Sequence, residues 1–131
     1  MVCLDLPFIF CGFWSDVVCD RLAHAPIGQK AGLTTKHLAV IRNESTALSK
    51  NIDPDRTLSD LQRAAVVYAD WMTKNVHVPQ DVFDALKIFL DDKQIVEVTV
   101  TIGAYNMVSR ILVALDVADK ASEKVPDALD E

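Results

Sequence analysis

Residues 91–117, DDKQIVEVTVTIGAYNMVSRILVALDV, decide the fold. Val96, Val98, Val100 and Ile102 alternate with Glu97, Thr99 and Thr101, the period of two that marks a half-buried strand, and β-branched residues favour that state. Ile95, Val98, Ile102, Tyr105, Val108, Leu112 and Leu115 recur instead at helical spacing over the whole length, with Gly103 as the lone turn signal. The chain contains no internal repeat and no second strand-like stretch for pairing. The reading is therefore one long helix from Lys93 to about Val117, capped by Asp91 or Asp92, in an all-α domain.

Moving outward, Pro79 sits in a helical first turn, where its missing N–H costs nothing, and Asp81 complements the positive end of the helix dipole. Val82, Phe83, Leu86, Phe89 and Leu90 form that helix's apolar face. Ser59 and Gln62 fit a capping box, each side chain serving a free backbone donor at the start of a helix that runs to about Lys74. Its apolar positions are Leu61, Ala64, Ala65, Tyr68, Trp71 and Met72. The polar stretch from Asn43 to Arg56, with turn formers Asn51, Asp53 and Pro54, is the longest loop. Before it, Thr34 or Thr35 caps a short helix from Lys36 to Arg42, with Leu38 and Ile41 on one face. The segment from Asp16 to Lys30 can form a further helix ended by Gly32.

The 131 residues suffice for one core without disulfides or a structural metal. Half are hydrophobic and 24% charged, which excludes wholesale disorder. With 19 acidic and 13 basic residues the net charge is -6, and the basic residues are scattered, so nucleic acid is not an expected partner. Cys3, Cys11 and Cys19 form no CxxC, and their odd count points to a reducing, cytoplasmic setting. The opening stretch MVCLDLPFIFCGFWSDVVC is apolar, but its uncharged run from Leu6 to Ser15 is far short of the roughly 20 residues a membrane span needs. Asp5, Asp16 and the absence of a basic start separate it from a signal peptide. It reads as a retained segment whose Phe8, Phe10, Phe13 and Trp14 are buried against something, and no membrane partner is expected.

GxSxG, HExxH, EF-hand and phosphate-loop patterns are all missing, so candidates are weighed singly. Asp20 and His24, four apart, share a helix face beside Cys19; a carboxylate next to an imidazole raises its pKa and orients it for general acid or base work. The plain alternative is a half-exposed surface pair. Glu97, Thr101, Tyr105, Asn106, Ser109 and Arg110 embed many polar groups among apolar ones. Asn106 and Arg110 can hydrogen-bond across one turn, as can Glu97 and Thr101, either as a structural network or as a binding surface. His37 and His77 lack neighbours at metal-ligand spacing, so no metal is expected.

Three blocks, HAPIGQKAGLTTKHLAVIR, LSDLQRAAVVYADWMTKNVHVPQDVFDALK and DDKQIVEVTVTIGAYNMVSRILVALDV, together resemble the carboxymuconolactone decarboxylase family, related to the alkylhydroperoxidase-D-like proteins. The third block is the most specific, with its acidic cap, Gln94 to Glu97, and Ala104 to Arg110 in that order. The resemblance covers about residues 20–117. It implies an all-α, alkylhydroperoxidase-D-like domain with a long C-terminal helix that assembles into homo-oligomers. On this reading residues 1–19 are a divergent apolar segment, residues 118–131 an acidic tail, and the chain a shortened relative of longer members.

The resemblance also implies chemistry. His24, before Ala25-Pro26, matches the family's catalytic histidine, whereas Cys19-Asp20-Arg21-Leu22-Ala23 departs from the usual pattern before it. In the decarboxylase branch a lactone-type acid loses carbon dioxide without a cofactor, and His24 is the expected proton donor. Arg110 or a lysine is then expected to hold the substrate carboxylate, because a guanidinium matches it in bidentate geometry, and Arg110, Tyr105, Asn106 and Glu97 make up the expected substrate-binding set. In the peroxidase branch a CxxC dithiol reduces a hydroperoxide; this chain has only Cys19 nearby and would need an external thiol. A third implied possibility is a catalytically inactive helical assembly partner.

Overall fold

The computed structural model describes residues 28–30, 32–42, 53 and 55–117. Among these the chain is all-α, with no strand. After the helical residues 28–30 come α1 (Thr35–Arg42), α2 (Asp60–Lys74), α3 (Gln80–Lys87) and α4 (Asp92–Ala114). The long segment is thus a helix, ending three residues before the predicted limit, with Leu115 closing its last turn onto the Ile111 carbonyl at 3.1 Å.

Three of the helix starts are set by side chains that accept free backbone N–H groups. Ser59 Oγ accepts from Gln62 N at 3.2 Å while Gln62 Oε1 accepts from Ser59 N at 2.8 Å. Asp91, rather than Asp92, does the same with Gln94 at the head of α4, at 2.8 and 3.0 Å. At α1 the cap is Thr34, and His37 completes the exchange, its Nδ1 accepting from Thr34 N at 2.8 Å. α3 starts at Gln80, directly after Pro79, without a side-chain cap. The predicted stop at Gly32 is present: φ is 98°, Gly32 N donates to the Gln29 carbonyl and Leu33 N to the Gly28 carbonyl. That pair of bonds is the Schellman arrangement, which needs a left-handed residue that glycine adopts without strain.

α2 packs on α3 and α4, and α3 meets α4. Leu33, Leu38, Ile41, Leu58, Ala65 to Ala69, Val82, Leu86, Leu90, Ile95, Val98 and Ile102 form the buried core. Trp71, Met72, Phe83 and Tyr105 pack against it half-buried. The rings of Tyr68 and Phe83 lie 6.4 Å apart and tilted by 48°, a favourable edge-on contact across the α2–α3 junction. The opposite face of α4 is different: Val96, Val100, Met107 and Ile111 are about half exposed or more.

Candidate functional site

Thr99, Asn106 and Arg110, polar side chains of α4, form a seam against α2. Thr99 Oγ1 donates to the Ile95 carbonyl one turn back at 2.7 Å, so the Tyr68 hydroxyl, 2.9 Å away, donates to it. Two turns further, Asn106 Nδ2 donates to Thr73 Oγ1 and to the Ile102 carbonyl, both at 3.1 Å. Arg110 follows, one guanidinium nitrogen donating to the Thr73 carbonyl at 3.3 Å. Thr73 lies in the last turn of α2, where carbonyls lack intrahelical partners and the helix dipole is negative, so a cation there is favourable.

Asn106 and Arg110 do share a face, but they meet on Thr73 rather than on each other. Glu97 and Thr101 are linked through the main chain, Thr101 Oγ1 donating to the Glu97 carbonyl at 2.7 Å, while the Glu97 carboxylate lies 3.7 Å from Lys93 Nζ. Tyr105 is half-buried against the core. Cys19, Asp20 and His24 lie outside the described residues, as do residues 1–19 and 118–131.

The charged groups divide into committed and uncommitted. Arg56 and Arg63 both pair with Asp60. Arg63 also donates to the Leu58 carbonyl at 3.2 Å and sits 3.8 Å from the buried carboxylate of Asp53. Arg110 is exposed, holds no carboxylate among the described residues, and uses one of its five N–H groups on Thr73.

Two acidic residues are buried, which spacing passes over. Asp53, expected only as a turn former, is 4% exposed; its Oδ1 accepts from Thr57 N at 2.9 Å and its Oδ2 from Leu58 N at 2.6 Å. Asp70, a lone acid in the apolar run of α2, is 1% exposed. The only signal for it in sequence is that interruption. Between α2 and α3 lies a groove of about 230 Å³ with an apolar floor of Ala64, Val67, Val82, Ala85, Ile88 and Phe89. Its rim charges Asp60 and Arg63 pair with each other, and of the predicted site residues that are described, none lines it. No cluster of histidine, cysteine and acidic residues suited to a metal occurs among the described residues.

Comparison with protein-family models, curated proteins and solved structures finds no match to this chain.

Proposed function

We propose that the chain is a carboxymuconolactone-decarboxylase-like carboxy-lyase, acting without a cofactor on a small carboxylated or lactone-type metabolite, as a cytoplasmic homo-oligomer. The observation that carries this reading is Arg110: an exposed guanidinium, oriented by the Thr73 carbonyl at 3.3 Å and braced beside Asn106, with no carboxylate of its own among the described residues. Such a group suits a substrate carboxylate, which it can grip through two parallel N–H donors. In the reaction the bond between the carboxyl carbon and its neighbour breaks and carbon dioxide leaves. The electron pair passes into the adjacent carbonyl system as an enolate. His24 then supplies a proton to the carbon and recovers one from solvent.

The test is carbon dioxide release from a panel of carboxylated lactones and β-keto acids. His24→Ala is expected to lower the rate by about 100-fold or more, the usual contribution of a placed general acid. Arg110→Ala is expected to raise KM, and neither Cys19→Ser nor added thiol is expected to matter. A hydroperoxide-reducing activity that requires thiol and disappears in Cys19→Ser would replace this reading with the peroxidase branch. Silence of the assembled protein on the whole panel would replace it with the inactive assembly partner.

A further inference from the structure

The carboxamide of Asn106 is held in one orientation. Its Nδ2 donates to the Ile102 carbonyl and to Thr73 Oγ1, both at 3.1 Å, so both of its N–H bonds are spent inside the chain. A carbonyl only accepts, which makes the atom facing Ile102 the amide nitrogen, and the planar amide then puts Oδ1 on the side away from that carbonyl. Oδ1 accepts from no donor among the described residues. Asn106 is half-buried, and Oδ1 keeps access to solvent.

One turn on, Arg110 presents the opposite chemistry. One of its N–H groups goes to the Thr73 carbonyl at 3.3 Å, and the others have no acceptor among the described residues. The two side chains dock on the same residue, Asn106 on the hydroxyl and Arg110 on the main-chain carbonyl. They start from Cα atoms about 6 Å apart along α4. At the end of α2, therefore, an oriented acceptor stands beside an oriented set of donors.

That combination asks more of a ligand than negative charge. A plain carboxylate, which only accepts, pairs with the guanidinium and leaves Oδ1 facing an anion. An acid with its own donor close to the carboxylate pairs with both groups. An ammonium in that role would stand beside the Arg110 cation and be repelled by it, whereas a hydroxyl is neutral.

We propose that Asn106 is a specificity-determining residue: its Oδ1 accepts a hydroxyl on the carbon next to the carboxylate or one further along, so that the site takes small hydroxy acids in preference to plain ones. This rests on the reading above, in which Arg110 grips the substrate carboxylate, and it adds the class of acid that is gripped.

The experiment is a titration of the isotope-labelled full chain near neutral pH, followed through the side-chain NMR signals of the Asn106 carboxamide and the Arg110 guanidinium. The probes are propionate and lactate, butyrate and β-hydroxybutyrate, the methyl ethers of the two hydroxy acids, and free alanine. At least one hydroxy acid is expected to bind roughly 2- to 12-fold more tightly than both its plain counterpart and its methyl ether, the net worth of one hydrogen bond. Free alanine is expected to gain nothing over propionate. Arg110→Ala is expected to weaken every acid.

Asn106→Leu, similar in size, is expected to bring the hydroxyl preference to one. Because leucine also gives up the bond to Thr73, Thr73→Val is the second variant. It removes that bond while Oδ1 stays on the amide and Nδ2 keeps the Ile102 carbonyl, so any loss of affinity is expected to fall on all the acids alike and the preference to survive. Arg110-dependent binding without a hydroxyl preference, or a preference that persists in Asn106→Leu, would overturn the role of Asn106 and leave the carboxylate grip standing. Loss of the preference in Thr73→Val as well would overturn it too, reducing Asn106 to a brace between the helices. Binding of none of the acids at Arg110 would overturn both this inference and the reading on which it rests.

Discussion

Asp53 is a carboxylate almost entirely out of water, and what surrounds it determines how the segment before α2 responds to acid. Burial by itself raises its pKa; the backbone N–H groups of Leu58 and Thr57, the Thr57 hydroxyl and the Arg63 guanidinium outweigh that and hold it below the ordinary 3.8. Because the folded pKa is the lower one, the unfolded chain takes up the proton first as pH falls. The stability from this group is complete well above pH 3.8 and is lost as pH drops through the folded value. Asp53→Asn puts an amide where two backbone donors and a cation expect acceptors, at a cost of about 1–3 kcal/mol near neutrality. Urea unfolding of the two proteins should show that gap at pH 7 and a gap that shrinks progressively as the pH is taken below 3.8. An unchanged gap would mean that the contribution is packing alone.

At the scale of elements, the helix starts show how far local chemistry reaches. The Ser59–Gln62 exchange is legible in four residues, because the acceptors and the donors they serve are adjacent in sequence. Thr34–His37 is the same device with histidine in the third helical position, outside the usual pattern, so His37 reads only as an exposed side chain until Nδ1 is seen on the Thr34 N–H at 2.8 Å. Ser59→Ala and Asp91→Ala should each destabilise by about 1 kcal/mol, measured as a lowered melting temperature. An effect below a few tenths would assign the helix starts to burial of Leu58 and Leu90 instead. The strand-like alternation in 96–102 has its own cause. Val96 and Val100 face outward and Val98 and Ile102 inward, so a helix apolar on two sides mimics a period of two. Thr99 and Thr101 fit that helix by donating to carbonyls four residues back, at 2.7 Å each. Extent along the chain, rather than local propensity, separates the two states.

At the scale of the molecule, spacing within α4 put Asn106 and Arg110 on one face but gave no clue to what they meet. Their anchor, Thr73, is 33 and 37 residues upstream and becomes a neighbour only when α2 packs on α4. The same holds for Tyr68 and Thr99. Asn106 and Arg110 were therefore legible as residues on one helix face, while what each of them contacts came from the helix opposite; Cys19, Asp20 and His24 stand outside the described residues. Thr73 makes the two contacts separable, because Asn106 uses its hydroxyl and Arg110 its main-chain carbonyl. Thr73→Val removes the first acceptor and keeps the second. In double-mutant cycles of unfolding free energy, Thr73→Val with Asn106→Leu should show a coupling of roughly 0.5–1.5 kcal/mol, the net worth of one hydrogen bond. Thr73→Val with Arg110→Met should be additive to within about 0.3–0.5 kcal/mol. Coupling to Arg110 as large as that to Asn106 would mean that the three residues shift as one unit, and that the Thr73 hydroxyl also holds the guanidinium in place.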